Sequence, residues 1–298
     1  MKKLILFASL IMMLSNCSNN KSNEKSALVS GDSVEVMEMP EVPSDITDPN
    51  LRANYLLEHF WDNLNFKDTT RTYDLDFVQQ NFANFASILP YASDTLKIMK
   101  GFEIMLSKAE VDRKAYDIFR ETTEKYLFDP NSPMLSEDAY RQFLHAVLKS
   151  DYISTDEKEK YRYQLHRTAI NRPGMKATDF TYTTVDGRRM TLQGSLAKND
   201  LMLIFFDPDC ENCDEILGKL QRNQDLAADI RDGRISVLAI YVGDDEAAWR
   251  KKVPTMPEEW VIGMNQNIDE DDLYYLPAMP TIYIIDNKGY VVAKDIRV

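Results

Sequence analysis

Two cysteines with two residues between them, Cys210 and Cys213, are the side chains whose types and spacing best fit a chemical reaction. They follow an apolar run over 201–206, which predicts a buried strand, and precede a helical pattern over 216–220. At such a strand-to-helix junction, the unpaired backbone amides and the helix dipole favour a thiolate on Cys210. Cys213, one turn later, is placed to attack a mixed disulfide. The spacing therefore predicts a dithiol that exchanges with outside disulfides.

The same spacing also fits a structural disulfide, half of a zinc site, or a chance pairing. Zinc requires two further ligands. The other candidate ligands lie in different parts of the sequence: Cys17, His59, His145 and His166. We therefore predict no metal site and no cofactor, and the structural disulfide stays open as the alternative.

The composition limits the class of protein. The chain has 298 residues, of which 44% are hydrophobic and 28% are charged, which is enough for about two domains with cores of their own. Its formal net charge of -13 repels nucleic acid and anionic membrane surfaces, so we expect neither as an electrostatic partner.

The first residues predict export. A basic start at Lys2 and Lys3 precedes an apolar run over 4–14 that is too short to span a membrane, so 1–16 is predicted to be a signal peptide. The segment Leu14-Ser15-Asn16-Cys17 resembles a bacterial lipobox, which implies lipidation of Cys17 and attachment to a membrane through acyl chains. Ordinary secretion is the alternative. Residues 17–45 are rich in Ser, Asn, Lys, Glu and Pro and predict a disordered tether.

Residues 46–171 follow a helical period. Asp48-Pro49 fits a helix start, and apolar residues then recur at spacings of three and four until Pro90. Further helices are predicted over 94–108, 111–128, 136–150 and 154–169. The sequence predicts an all-helical domain without catalytic groups, in which the histidines and aromatic residues serve packing or the surface.

The spacing of apolar residues changes after Arg172-Pro173-Gly174, and the pattern over 172–298 predicts alternating strands and helices. An Asp186-Gly187 turn indicates an initial hairpin. Further strands are predicted over 201–206, 235–242, 260–264, 281–285 and 290–294, with helices over 216–231 and 244–252. This alternation predicts a layered α/β sheet.

From about residue 175 onward the sequence resembles the thioredoxin fold. Within that fold it is similar to the TlpA/ResA-like envelope proteins, which are related to alkyl hydroperoxide reductases. The resemblance rests on the entry segment ATDF over 177–180, the CENC junction, and Met279-Pro280-Thr281 before IYIIDNKGYVV. It implies a cis Pro280 beside the active-site cysteines and a Met279 backbone free to pair with an extended substrate. The whole chain resembles envelope lipoproteins with an N-terminal helical domain of unknown function, so the expected fold class is an α/β thioredoxin fold preceded by an all-α domain.

Some residues depart from that family. Its WCGPC motif is replaced by Asp209-Cys210-Glu211-Asn212-Cys213. Carboxylates at 207, 209, 211, 214 and 215 oppose a thiolate on Cys210, which predicts a reducing couple. Ile204 stands where thioredoxins often hold a buried acid, so Asp207 or water is expected to assist Cys213. Because the chain ends at Val298 without a C-terminal helix, we expect the helical domain to cover that face of the sheet.

The sequence and the resemblance together predict a thiol-disulfide oxidoreductase of the bacterial cell envelope that faces the periplasm or the cell surface. Cys210 is the expected nucleophile, Cys213 the resolving thiol, and Met279 with Pro280 the docking element. The expected partners are envelope protein thiols or disulfides and an upstream electron donor. The alternative is a lipid-anchored, non-catalytic binding or scaffold protein with a structural or decayed disulfide. A peroxidase ranks third, because Asp207-Pro208-Asp209 lacks the Thr/Pro setting and arginine of peroxide-reducing relatives.

Overall fold

A computed structural model describes residues 35–268 and 271–294. The predicted signal peptide over 1–16, the lipidation site at Cys17 and the first part of the predicted tether lie outside these residues. Within the two described ranges, none of the helices combines the length and apolar character needed to cross a membrane.

The first part of the described chain is helical. A short 3-10 helix, Leu89–Tyr91, lies between the third and fourth helices. The α-helices are α1 Pro49–His59, α2 Thr69–Thr72, α3 Leu75–Ala86, α4 Thr95–Ala109, α5 Arg113–Leu127, α6 Glu137–Lys149 and α7 Thr155–Arg167. The bounds predicted for α4 to α7 are confirmed to within two residues.

Polar side chains fix where these helices begin. The Asp48 carboxylate accepts hydrogen bonds from the backbone of Asn50 and Leu51 at the start of α1. At α7, Ser154 and Glu157 form the predicted capping box, in which each side chain accepts from the other residue's backbone N–H. These caps satisfy backbone donors that have no partner inside a helix.

Aromatic rings fill the core of the helical domain. Trp61, fully buried, has ring centroids of Phe60, Phe85 and Phe119 within 5.6 Å of its own. Residues 35–45, which the composition assigned to the tether, also reach this domain. Met37 is buried, and its backbone N–H donates to the Asn81 side chain at 2.8 Å.

The second part of the chain contains a seven-stranded mixed sheet in the order β2-β1-β5-β4-β3-β6-β7. Strands β3, β4 and β5 are parallel, and the remaining pairs are antiparallel. A 3-10 helix, Val253–Thr255, follows the last helix. The elements are β1 Thr181–Thr184, β2 Arg189–Thr191, α8 Leu192–Ser195, β3 Asp200–Phe206, α9 Glu211–Arg222, α10 Gln224–Arg231, β4 Ile235–Tyr241, α11 Glu246–Lys252, β5 Val261–Met264, β6 Thr281–Ile285 and β7 Val291–Lys294.

Alternate residues of β3 point to opposite faces of the sheet, as the period of a strand requires. Ile204 and Phe206 join the apolar cluster that contains Cys213, while Leu203 and Phe205 join the cluster on the other face. Both sets are fully buried, which explains why the strand reads as a continuous apolar run.

The single helix predicted over 216–231 is wrong in two respects. The helix begins at Glu211, directly after Cys210, and it ends at Arg222. Asn223 has extended backbone angles and caps a separate helix by accepting a hydrogen bond from Leu226 N–H. An asparagine whose side chain accepts from a backbone N–H three residues later favours a helix start over a helix interior.

The expected cover of the sheet by the helical domain is not observed in the described residues. Both apolar clusters of the sheet consist of residues from the second part of the chain alone. The helical domain instead meets that part through localised contacts. Lys294 of β7 forms an ion pair with Glu137 of α6, and Phe128 stacks on Tyr275 with centroids 6.0 Å apart.

Candidate active site

Strand pairing brings the two parts of the site together. Strand β3 ends at Phe206, four residues before Cys210, and β6 begins at Thr281, directly after Pro280. The two strands are antiparallel, and Phe205 is paired with Thr281. The end of one strand therefore lies beside the start of the other, which places residues 279–280 next to the cysteine pair.

Cys210 is the N-cap residue of α9. Its sulfur accepts a hydrogen bond from the Cys213 backbone N–H at 3.2 Å. The side chain is half-buried, and both cysteines of this pair are free thiols. A sulfur in this position faces the positive end of the helix dipole, which stabilises negative charge on it.

The Met279 carbonyl oxygen lies against this N-terminus. The Met279–Pro280 peptide bond is cis. The Cys210 thiol donates to the Met279 oxygen at 3.6 Å, and the Asn212 side-chain amide donates to the same oxygen at 2.9 Å. The Met279 carbonyl oxygen therefore links the segment before β6 to the start of α9.

Asn212 is a site residue that sequence reasoning missed. The sequence identified it only as a replacement for the usual proline. The available signal was chemical: proline has no side-chain donor, whereas an amide at the second position of an exposed helix start can reach a neighbouring backbone oxygen.

Cys213 differs from Cys210 in its surroundings. It is fully buried, in an apolar cluster that includes Ile204 and Leu217. Burial raises the pKa of the Cys213 thiol above its ordinary value, and a hydrogen bond from the Asp207 backbone opposes this effect only in part. Cys213 is therefore a protonated thiol at neutral pH, whereas Cys210 is accessible from one side.

Two of the five carboxylates close in sequence to the two cysteines form ion pairs with lysines. Asp214 forms an ion pair with Lys252 of α11, and Glu215 forms one with Lys219 at 3.0 Å. The sequence pattern counted all five as opposing a thiolate. Among residues 35–268 and 271–294, Asp207, Asp209 and Glu211 form no ion pair, so these three keep that role.

Across residues 35–268 and 271–294, no three His, Cys, Asp or Glu side chains cluster in a way that would hold a metal ion. The histidines belong to the helical domain, where His59 contacts Asp62 at 2.7 Å. His145 and His166 lie on α6 and α7.

The raised pKa of Cys213 predicts an alkaline loss of stability in the reduced chain. The unfolded thiol titrates near its ordinary value of 9.0, whereas the folded thiol keeps its proton to higher pH. Above about pH 9 the folded state therefore binds more protons, and its stability falls as pH rises. Denaturant titrations over a series of pH values measure this slope. We expect a shallower slope for Cys213→Ala, and equal slopes for the two proteins would contradict the assignment.

Residues 15–171 match the family described as a domain of unknown function, DUF5106. The crystal structure of a thioredoxin-like protein from Bacteroides caccae is similar, with 30% identity and a TM-score of 0.81, over 89% of this chain and 96% of that one. No curated protein matches the chain.

Two further solved structures each cover less than half of the chain. A conserved protein of unknown function from Bacteroides fragilis has 36% identity and a TM-score of 0.41, over 43% of this chain and 93% of that one. The thioredoxin domain of a thiol-disulfide oxidoreductase from Bacteroides vulgatus has 20% identity and a TM-score of 0.38, over 43% of this chain and 90% of that one.

Proposed function

The chain belongs to the DUF5106 family and to the thioredoxin-like proteins, and from this premise we propose that it exchanges thiols and disulfides through Cys210 and Cys213. The same membership confirms the predicted fold class, an α/β thioredoxin fold preceded by an all-α helical domain. The observation that carries the proposal is the placement of the Cys210 sulfur, which caps α9 and lies 3.6 Å from the Met279 carbonyl oxygen.

The proposed reaction has two steps. The Cys210 thiolate attacks one sulfur of a substrate disulfide, which forms a mixed disulfide and releases the other substrate sulfur as a thiolate. The Cys213 sulfur then attacks Cys210, so that the Cys210–Cys213 disulfide forms and the second substrate thiolate leaves. Two electrons pass from the cysteine pair to the substrate, and an external dithiol donor restores the reduced pair.

Cys213 must lose its proton during the second step. Its apolar surroundings disfavour the thiolate, and Ile204 supplies no carboxylate. The Asp207 carboxylate acts electrostatically on Cys213, and its negative charge contributes to raising the pKa of that thiol. We assign Asp207, directly or through water, as the proton acceptor, with the departing substrate thiolate as the final destination of the proton.

Met279 and Pro280 are the proposed docking element. An extended substrate segment would pair with the Met279 backbone, as peptides do when they add to the edge of a sheet. The Asn212 amide and the Cys210 thiol both donate to the Met279 oxygen in the reduced chain. A substrate amide would therefore take the position of the Cys210 donor once that thiol has lost its proton.

The reducing direction is part of this proposal. Three carboxylates that neighbour Cys210 in sequence, Asp207, Asp209 and Glu211, form no ion pair in the part of the chain that the structure describes, and their charge opposes a thiolate on Cys210. The Met279 oxygen accepts a hydrogen bond from the protonated thiol. Both effects disfavour the thiolate and so the reduced form. Equilibration with glutathione or dithiothreitol buffers measures the reduction potential. A value near the strongly oxidising end, about -120 mV, would overturn the reducing direction.

The cellular setting is proposed from the N-terminal sequence. Lipidation of Cys17 would attach the chain to a membrane of the bacterial envelope, where it would meet protein thiols or disulfides and an upstream electron donor. Fractionation of cells that express the full chain or its Cys17→Ser variant tests this anchor. Equal membrane association of the two proteins would contradict it.

The main experiment measures turnover of a protein disulfide. The reduced chain is mixed with insulin and dithiothreitol, and insulin reduction is followed by turbidity, with the chain alkylated at its thiols as the matched control. We expect catalysis by the reduced chain alone. An uncatalysed rate, together with cysteines that resist trapping after mild reduction, would favour the alternative of a non-catalytic scaffold with a structural disulfide.

A further inference from the structure

The loop formed by residues 271–280, called here the docking loop, is irregular over its length and ends at the cis Met279–Pro280 bond. It carries the Met279 oxygen that contacts Cys210 and Asn212. Because no helix or strand fixes its backbone, the position of Met279 depends on contacts made by the preceding loop residues.

Three of those residues are held by the helical domain. The Arg167 side chain of α7 forms an ion pair with Asp272. The Asn171 side-chain amide donates to the Leu273 carbonyl oxygen at 2.7 Å. The Arg167 guanidinium also lies 5.1 Å from the ring centroid of Tyr275. The helical domain therefore contacts both the backbone and the side chains of the docking loop.

The Tyr275 ring is held from a second side. Phe128, which follows α5, stacks on it with an interplanar angle of 6°. From the sheet, the Tyr283 hydroxyl donates to the Tyr275 carbonyl oxygen at 3.2 Å. Tyr275 therefore lies between the two domains, four residues before Met279.

Burial and backbone angles indicate that the ion pair of Arg167 with Asp272 contributes to the conformation of the docking loop. The Arg167 side chain is only 9% exposed, so its charge is largely removed from water, and the Asp272 carboxylate contributes to compensating it. Asp272 has φ 50°, in the left-handed region that residues other than glycine adopt less readily. An ion pair with a buried partner is a contact able to hold that conformation.

We propose that the helical domain positions the docking loop, with Arg167 as the principal positioning residue, and that it thereby sets how well the site accepts a protein disulfide. This inference rests on the proposed function. A protein substrate needs the Met279 backbone in place, whereas a small disulfide needs only an accessible Cys210 sulfur. The helical domain should therefore affect the two substrates differently.

The test uses full-length Arg167→Met, with Arg172→Met as the matched control. Arg172 lies at the same junction but pairs with Asp138 of α6 rather than with the loop. We expect Arg167→Met to lower kcat/KM for insulin reduction by about tenfold or more, the scale of a small displacement at a reacting site, with an unchanged rate toward dithiobis(nitrobenzoate). The control should leave both rates unchanged.

Hydrogen exchange supplies a readout that does not depend on activity. Arg167→Met should speed exchange in residues 271–279 but not in α9, relative to Arg172→Met. If Arg167→Met loosens α9 as well, the milder Asp272→Asn variant, which keeps the shape and removes the charge, is measured in the same way.

The outcomes separate the two ideas. Equal losses toward insulin and the small disulfide, or unchanged exchange in the docking loop of these variants, would overturn the positioning role. A wild-type chain that fails to react with the small disulfide would instead overturn the proposed function, and the exchange rates would still decide whether the helical domain holds the loop.

Discussion

Replacing Cys210 with serine is expected to abolish disulfide reduction. A serine hydroxyl at this position is not ionised at neutral pH, so no nucleophile remains at the exposed end of α9, while the buried Cys213 thiol cannot reach a substrate. We expect a rate loss on the order of a thousandfold or more in insulin reduction, which is the scale for removing the nucleophile of a covalent mechanism.

Cys213→Ser is the matched variant, because it removes one sulfur from the same helix turn. It should still attack substrate but should not resolve the product, so mixed disulfides should accumulate on Cys210. Non-reducing electrophoresis after exposure to a disulfide-containing protein measures this. The assignment would be reversed if Cys210→Ser, rather than Cys213→Ser, accumulated the mixed disulfide. If neither variant formed a mixed disulfide, the proposed thiol-disulfide exchange would be contradicted.

Replacing Trp61 with alanine is expected to destabilise the helical domain by roughly 3–5 kcal/mol, the usual cost of truncating a large buried aromatic side chain. Trp61 is fully buried, and aromatic rings from α3 and α5 contact it. Its removal opens a cavity that these neighbours can fill only in part, because their own rings are held by further contacts.

Denaturant unfolding followed by circular dichroism measures this loss, with Tyr91→Ala as the control. Tyr91 is 63% exposed, so its truncation should change the free energy of unfolding by no more than about 0.5 kcal/mol. The two remaining tryptophans, Trp249 and Trp260, lie in the sheet domain, so fluorescence in Trp61→Ala reports that domain alone. A loss below about 1 kcal/mol would contradict the central role of Trp61.

Fluorescence in this variant also bears on the docking loop. If the helical domain holds residues 271–280, its early unfolding should expose the Met279 region while Trp249 and Trp260 still report a folded sheet. Faster alkylation of Cys210 at that denaturant concentration would be the corresponding chemical sign, because Met279 lies against its sulfur.

The sequence by itself determined most of the helices and strands and the position of the cysteine pair between β3 and α9. Helical spacing and capping residues such as Asp48 and Ser154 fixed α1 and α4 to α7, because those signals are local in the chain. The apolar run of β3 and the Cys210–Cys213 spacing are also local signals. The thioredoxin-like resemblance rested on short segments of this kind. The break at Asn223 was missed because a helical apolar pattern continues across it, while the cap depends on one side chain.

Only the tertiary structure decided how the site is assembled. The Met279 oxygen and the Cys210 sulfur are 69 residues apart in the chain, and the pairing of β3 with β6 brings them together. Two ion pairs, Asp214 with Lys252 and Arg167 with Asp272, likewise join separate elements. Such contacts leave no periodic signal in the sequence, because they depend on where whole helices and strands pack rather than on neighbouring residues. The cysteine spacing and its place between a strand and a helix were therefore predictable from the sequence, whereas the charges and backbone groups around the cysteines were set by packing.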